Sequence, residues 1–224
     1  MDGGFAMTSP AAPVDTTTEF FETIYADATG DASRVPWADE RPHPALVRWL
    51  DVVAPSLIRC GGRVVVVGCG LGHDVQELHR RGYDVIGFDC SATAIDWARR
   101  IDPERAESYV HADLFDLPPG WTHRFDLVVE INTIQALGPD RRPEAMAAIA
   151  ALVGRVGHLL VICRGDDVPA APELGPPWPL TPTELLDLAA GVGLSPTGPI
   201  ADFMDDEDPP VRRLRAAFAR EAAT

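Results

Sequence analysis

The chain has 224 residues, of which 34 are acidic and 19 basic, every basic one an Arg, and its net charge is −15. That balance excludes binding driven by phosphate neutralisation, on nucleic acid or on an anionic membrane surface, and no apolar run approaches the roughly 18 to 20 residues of a membrane span. At 46% hydrophobic and 24% charged, the composition is that of one globular domain with extra terminal elements.

The opening stretch, Met1 to Pro13, lacks the basic head and apolar centre of a secretory signal, so a cytoplasmic location is expected. Residues 1–14 read as a flexible arm. Asp15 is placed to cap a first helix through Phe20, Phe21, Ile24 and Tyr25, ended by Gly30 and Asp31. Arg34 to Trp37 reads as a loop, and Pro44 opens a second helix that carries Leu46, Trp49 and Leu50 before Pro55. The N-terminal helical segment therefore runs over residues 15–60.

From residue 61 to 224 strands and helices alternate. Val64 to Val67 is an all-β-branched run, the pattern of a strand buried on both faces. Val75, Leu78 and His79 share a helical face; Tyr83 to Phe88 is a second strand; Ser91 caps a helix over Ala92 to Arg100. Tyr109-Val110, Phe125 to Ile131 and Leu159 to Cys163 are further strands, with a helix from Pro143 to Val153. Asp166 to Pro179 is a long Pro-rich connection, and Thr181-Pro182-Thr183-Glu184 reads as a capping box. Ile200 to Phe203 and Val211 to Phe218 form a strand pair joined by the turn Asp205 to Asp208, read as solvated rather than as a metal site. The fold class is α/β, a Rossmann-like parallel sheet covered on both faces.

Three carboxylates fall at strand ends, where open parallel sheets bind ligands. Asp89 closes the second strand, 21 positions after Gly68 in the glycine-rich turn Gly68-Cys69-Gly70-Leu71-Gly72. There it can accept hydrogen bonds from ribose hydroxyls. Asp113 follows the third strand and Glu130 closes the fourth; capping of the following helices is the alternative for Asp89 and Asp113. Cys60, Cys69, Cys90 and Cys163 are too scattered for a disulfide framework or a zinc site, so free thiols and no metal are expected.

The runs Val64 to Asp74, Gly87 to Ser91 and Ala112-Asp113-Leu114 together resemble class I S-adenosylmethionine-dependent methyltransferases. Val66 two positions before Gly68, Trp37 ahead of the first strand and the run Phe125 to Leu137 resemble the thiopurine and thiol methyltransferase-like subgroup. Bacterial thiopurine methyltransferases place an Arg after the acidic residue of that run; Ile131 stands here, so neither that contact nor a thiopurine substrate is carried over. The resemblance implies a mostly parallel seven-stranded sheet with an antiparallel last pair, an N-terminal helical lid and S-adenosylmethionine as cofactor. It implies that Gly68 and Gly70 face the methionine part, Asp89 the ribose, Asp113 and Leu114 the adenine, and that Glu130 and Ile131 lie near the methyl group, with Trp37 closing over them and Cys69 and Cys90 also among the cofactor-binding residues.

Methyl transfer asks mainly for orientation and exclusion of water. Glu130, His73 and His111 are the candidate bases if the acceptor needs one, and Tyr25, Trp37, Asn132, Gln135, Arg164 and Trp178 are expected around the acceptor. Arg164 can hold an acidic acceptor or pair with Asp166 or Asp167. The expected function is transfer of a methyl group to a small molecule, with no nucleic-acid or membrane partner. Two alternatives share the glycine turn and Asp89: a nicotinamide-dependent oxidoreductase and a cofactor-binding module without catalysis. Against the first, the third glycine follows the second by two residues and no Lys exists for a Tyr-Lys pair.

Overall fold

The computed structural model describes residues 17–220. The expected arm over 1–14 and the Asp15 cap lie outside these residues. Helix α1 (Thr18–Ala28) starts after Thr17 and stops where Thr29 turns left-handed at φ 51°. Helix α2 (Pro44–Val52) opens on its proline, and the ring Nδ1 of His43 accepts the Ala45 N–H at 3.1 Å. Pro55 does not end the helical segment. The short α3 (Ala54–Leu57) continues it, with Pro55 in the first turn, where a missing N–H costs nothing.

The remaining elements alternate as β1 (Arg63–Val67), α4 (His73–Arg80), β2 (Asp84–Asp89), α5 (Ala92–Ile101), β3 (Tyr109–His111), β4 (Phe125–Ile131), α6 (Thr133–Ala136), α7 (Arg142–Leu152), β5 (Val153–Arg164), α8 (Pro182–Gly191), β6 (Leu194–Pro196), β7 (Ala201–Met204) and β8 (Arg212–Arg220). The sheet runs β3-β2-β1-β4-β5-β8-β6, with β7 also on β8. Strands β1 to β5 pair in parallel; β8 is antiparallel to β5, β6 and β7.

The described residues hold eight strands where seven were expected. The outermost position is shared: β7 pairs Arg212 to Arg215 and β6 pairs Phe218 to Arg220, both on the outer edge of β8. Strand β6 escapes sequence reading because it has three residues and ends on a proline. Strand β5 is longer than expected, starting at Val153 behind a register irregularity opposite Phe125. The capping box at α8 is half made: Thr181 accepts the Glu184 N–H at 3.1 Å, while the Glu184 carboxylate turns to Arg142 at 2.5 Å.

The valine run of β1 behaves as its composition requires. Val64 and Val66 pack into the layer of α2, α4 and α5, and Val65 and Val67 into the layer of α7 and α8. Each is nearly or fully buried, and burial of a Val side chain stabilises by about 1.5 to 3 kcal/mol. The chain turns outward from β1 to β2 on one side and to β4 on the other, so a crevice opens beyond the ends of β1 and β4. Helix α1 lies beside that crevice because Glu22 reaches the N-terminus of α5, where Ser91 Oγ donates at 2.7 Å and Thr93 N–H at 3.2 Å. Favourable placement of a carboxylate at a helix N-terminus explains the attachment.

Candidate functional site

A cavity of about 490 Å³ occupies the crevice. Its floor is the glycine turn after β1. Gly68 and Gly70 have φ of +58° and +50°, the left-handed region in which a side chain is strained. A Cβ on Gly68 would stand 2.5 Å from Thr133 Oγ1, and one on Gly70 2.8 Å from the Tyr25 hydroxyl oxygen. Main chain is thus left bare toward the cavity.

Asp89, at the end of β2, accepts the Gly70 N–H on one oxygen and the Ser91 N–H on the other, each at 2.9 Å. The two bonds fix its carboxylate against the turn. Burial still raises its pKa above the usual carboxylate range. Ser91, not Asp89, caps α5 with its hydroxyl. Asp113 accepts the Phe115 N–H at 2.9 Å and lines the cavity beside Leu114 and Cys90. Both aspartates therefore make local turns and face the cavity at once.

The roof comes from the N-terminal segment. Trp37 is 40% exposed, so it is no core aromatic; its Nε1–H donates to the Tyr25 hydroxyl at 2.8 Å, and its ring meets Tyr25 and Phe21 edge to face at 5.9 and 6.0 Å. The far end holds Ile131, Asn132, Gln135 and Arg164. Asn132 takes φ of 66° at the sharp turn into α6, which Asn tolerates better than most residues.

Two expected site residues stand off the wall. Glu130 is buried beneath the turn, where its Oε1 accepts the Thr133 and Ile134 N–H groups at 2.6 and 2.9 Å. It serves as the anchor of α6. Trp178 is buried too; its indole donates to the Pro172 carbonyl at 3.1 Å and its backbone N–H to the Gln135 carbonyl at 2.8 Å, which ties the Pro-rich connection to α6. His111 faces away, its Nε2 3.1 Å from the Cys90 carbonyl oxygen. His73 lines the cavity, and burial lowers its pKa, which keeps it neutral. Burial also pushes the Cys69 thiol well up and the Cys90 thiol up to about 12, so neither supplies a thiolate near neutral pH.

Several lining residues were not legible in the sequence. His43 and Asp74 meet across 31 positions, the His43 N–H donating to Asp74 Oδ1 at 2.7 Å. Arg213 lines the cavity from β8, nearly buried, and corrects the reading of the acidic turn as solvated. It binds Asp205 at 2.6 Å, pairs with Glu207, and donates to Asn132 Oδ1 at 3.2 Å. Asp206 and Asp208 alone stay exposed. The available signal was an Arg at an inward position of a strand facing an acidic turn.

Glu130 gives a pH test. Burial raises its pKa to about 7 from an ordinary 4.5, outweighing the two N–H bonds, and its Oε2 has no partner among the described residues. A raised carboxyl pKa means that ionisation is costlier in the folded state, so the contribution of this group to stability is greatest below pH 4.5 and falls as pH rises toward 7. Glu130→Gln removes that titration. Its thermal midpoint relative to the native chain is expected to rise between pH 5 and 8, by the equivalent of about 3 kcal/mol at most. A difference that stays flat with pH would contradict it.

The chain matches the family model of thiopurine S-methyltransferase over residues 27–195. It is 23% identical over 176 residues to a 2-heptyl-1-hydroxyquinolin-4(1H)-one methyltransferase of Mycobacteroides abscessus, covering 77% of this chain and 75% of that one. It is 31% identical over 131 residues to thiocyanate methyltransferase 1 of Arabidopsis thaliana, covering 57% of this chain and 55% of that one. The fold is that of a Burkholderia thailandensis 1,6-didemethyltoxoflavin N1-methyltransferase solved with S-adenosylhomocysteine, at a TM-score of 0.69, 19% identity and 94% and 95% coverage. No helix among the described residues is long and apolar enough to cross a membrane.

Proposed function

Because the chain belongs to the thiopurine S-methyltransferase family and is an S-adenosylmethionine-dependent methyltransferase, we propose that its acceptor is a small molecule, a thiol or hydroxyl compound, enclosed in the cavity beneath Trp37. Membership of that family overturns the nicotinamide alternative. The observation that carries the proposal is a single cavity joining two kinds of wall, strand-end carboxylates on one side and an aromatic roof with polar amides on the other.

The residues fit the cofactor. Gly68 and Gly70 leave room for its methionine part against bare main chain, Asp89 retains free lone pairs for ribose hydroxyls, and Asp113 with Leu114 meets the adenine. When bound, S-adenosylmethionine supplies a methyl group already activated on a sulfonium. The chain's own work is to orient the acceptor and keep water out. Phe21, Tyr25 and Trp37 form the lid that excludes water, within the N-terminal helical segment that precedes β1. Asn132 and Gln135 orient the acceptor. A thiol ionises in part near neutral pH and needs no base; for a hydroxyl, neutral His73 is the proton acceptor on the wall. Glu130 acts by holding the turn into α6.

The test is formation of S-adenosylhomocysteine across panels of small thiols, phenols and carboxylic acids. Turnover is expected on the thiol or phenol panel, thiols first, and turnover on carboxylic acids alone would contradict the proposed acceptor class. Cofactor binding with no turnover on any panel would leave a binding module in place of an enzyme.

A further inference from the structure

We propose that the acceptor end of the cavity is an oxyanion subsite, so that the acceptor molecule carries a carboxylate. The inference rests on the reading that the acceptor lies in this cavity, and it is carried by three side chains that present donors there. Asn132 spends its Oδ1 on Arg213, whose Nη1 donates at 3.2 Å. Gln135 spends its Oε1 on the Arg164 N–H at 2.5 Å. Neither amide can be reversed, because reversal would set an NH2 group against a guanidinium or an N–H. Both residues line the cavity, and no hydrogen bond among the described residues engages either amide nitrogen.

The third donor is the Arg164 guanidinium. Both carboxylates beside it in sequence are engaged elsewhere: Asp166 accepts the Asp167 and Val168 N–H groups, and Asp167 pairs with Arg212 at 2.7 Å. Arg164 is half-buried on the wall, and its guanidinium has no carboxylate within salt-bridge distance among the described residues. It also stands directly opposite Arg213 in the antiparallel register of β5 and β8, which puts the two on one face. Like charges directly opposite destabilise a sheet. Arg213 is balanced by Asp205 and Glu207; Arg164 is not. A planar anion that takes the guanidinium fork and the two amide groups supplies the missing charge in the geometry Arg favours.

The experiment titrates naphthalene-2-carboxylate and naphthalene-2-carboxamide into protein saturated with S-adenosylhomocysteine. The carboxylate is expected to bind at least tenfold tighter than the amide. Arg164→Gln is expected to bring that ratio near one, while Arg164→Lys keeps part of it; an unchanged affinity for S-adenosylhomocysteine certifies that the variants are folded. Equal affinities in the native chain, a preference that survives Arg164→Gln, or no binding of either aromatic overturns the subsite. Methyl transfer to neutral acceptors without any carboxylate preference would sink this inference and leave the proposed function standing. Carboxylate binding without methyl transfer on any panel would do the reverse.

Discussion

Asp89→Ala is expected to weaken binding of S-adenosylhomocysteine by about 100-fold or more. The carboxylate accepts the Gly70 N–H at the end of β2, so it sets the shape of the glycine turn as well as facing the cavity. A hydrogen bond to a charged group contributes about 1.5 to 3 kcal/mol, and two ribose hydroxyls on one carboxylate therefore carry about 3 kcal/mol or more. The same substitution strands the Gly70 and Ser91 N–H groups, each at a cost of about 1 to 3 kcal/mol if it stays buried. Affinity and stability should fall together, and they are measured apart by titration calorimetry below the unfolding range and by chemical denaturation. An affinity within threefold of the native value would contradict the ribose assignment.

What the sequence made legible was local. The valine run of β1, the glycines with positive φ and Asp89 all lie between positions 64 and 89, and the period of the pattern determines on which face and edge they fall. Helix α5 was readable from Ser91, because a cap speaks to the N–H three residues on. The parts that escaped depend on contacts between distant segments. Glu22 holds α1 to α5 across 71 positions at Thr93, and Arg213 meets Asn132 across 81. Nothing in the local pattern around either residue announces its partner. Glu130 shows the same limit from the other side: its position at a strand end was legible, but its burial under α6, and so its removal from the cavity wall, followed from the turn at Asn132. Trp178 was drawn toward the site by its place in a long connection, yet it is the packed anchor of that connection.

The buried pairing of Arg213 predicts the largest stability effect. Its side chain is 4% exposed and that of Asp205 9%, so the pair is screened little by solvent. Burial alone would raise the pKa of Asp205; the Val211 N–H, Arg213 and the Glu207 N–H together hold it below the usual range. Arg213→Ala leaves that carboxylate desolvated without its counter-charge, and breaking a buried pair in this way costs about 3 to 5 kcal/mol. Removing the charge from the partner as well should recover part of the loss, so Asp205→Asn combined with Arg213→Ala is expected to be more stable than Arg213→Ala alone. The direction of the pKa shift adds a second signature. A depressed carboxyl pKa contributes stability above its unfolded value that is lost as pH falls, so the penalty of Arg213→Ala should be full at neutral pH and shrink as Asp205 becomes protonated in acid. Urea unfolding of the two variants at neutral and acidic pH measures both effects. Because Arg213 also fixes the Asn132 amide, the single variant should lose the orientation of that donor in the cavity even at temperatures where it remains folded. A penalty that is small and independent of pH would mean that the acidic turn is a solvated surface feature after all.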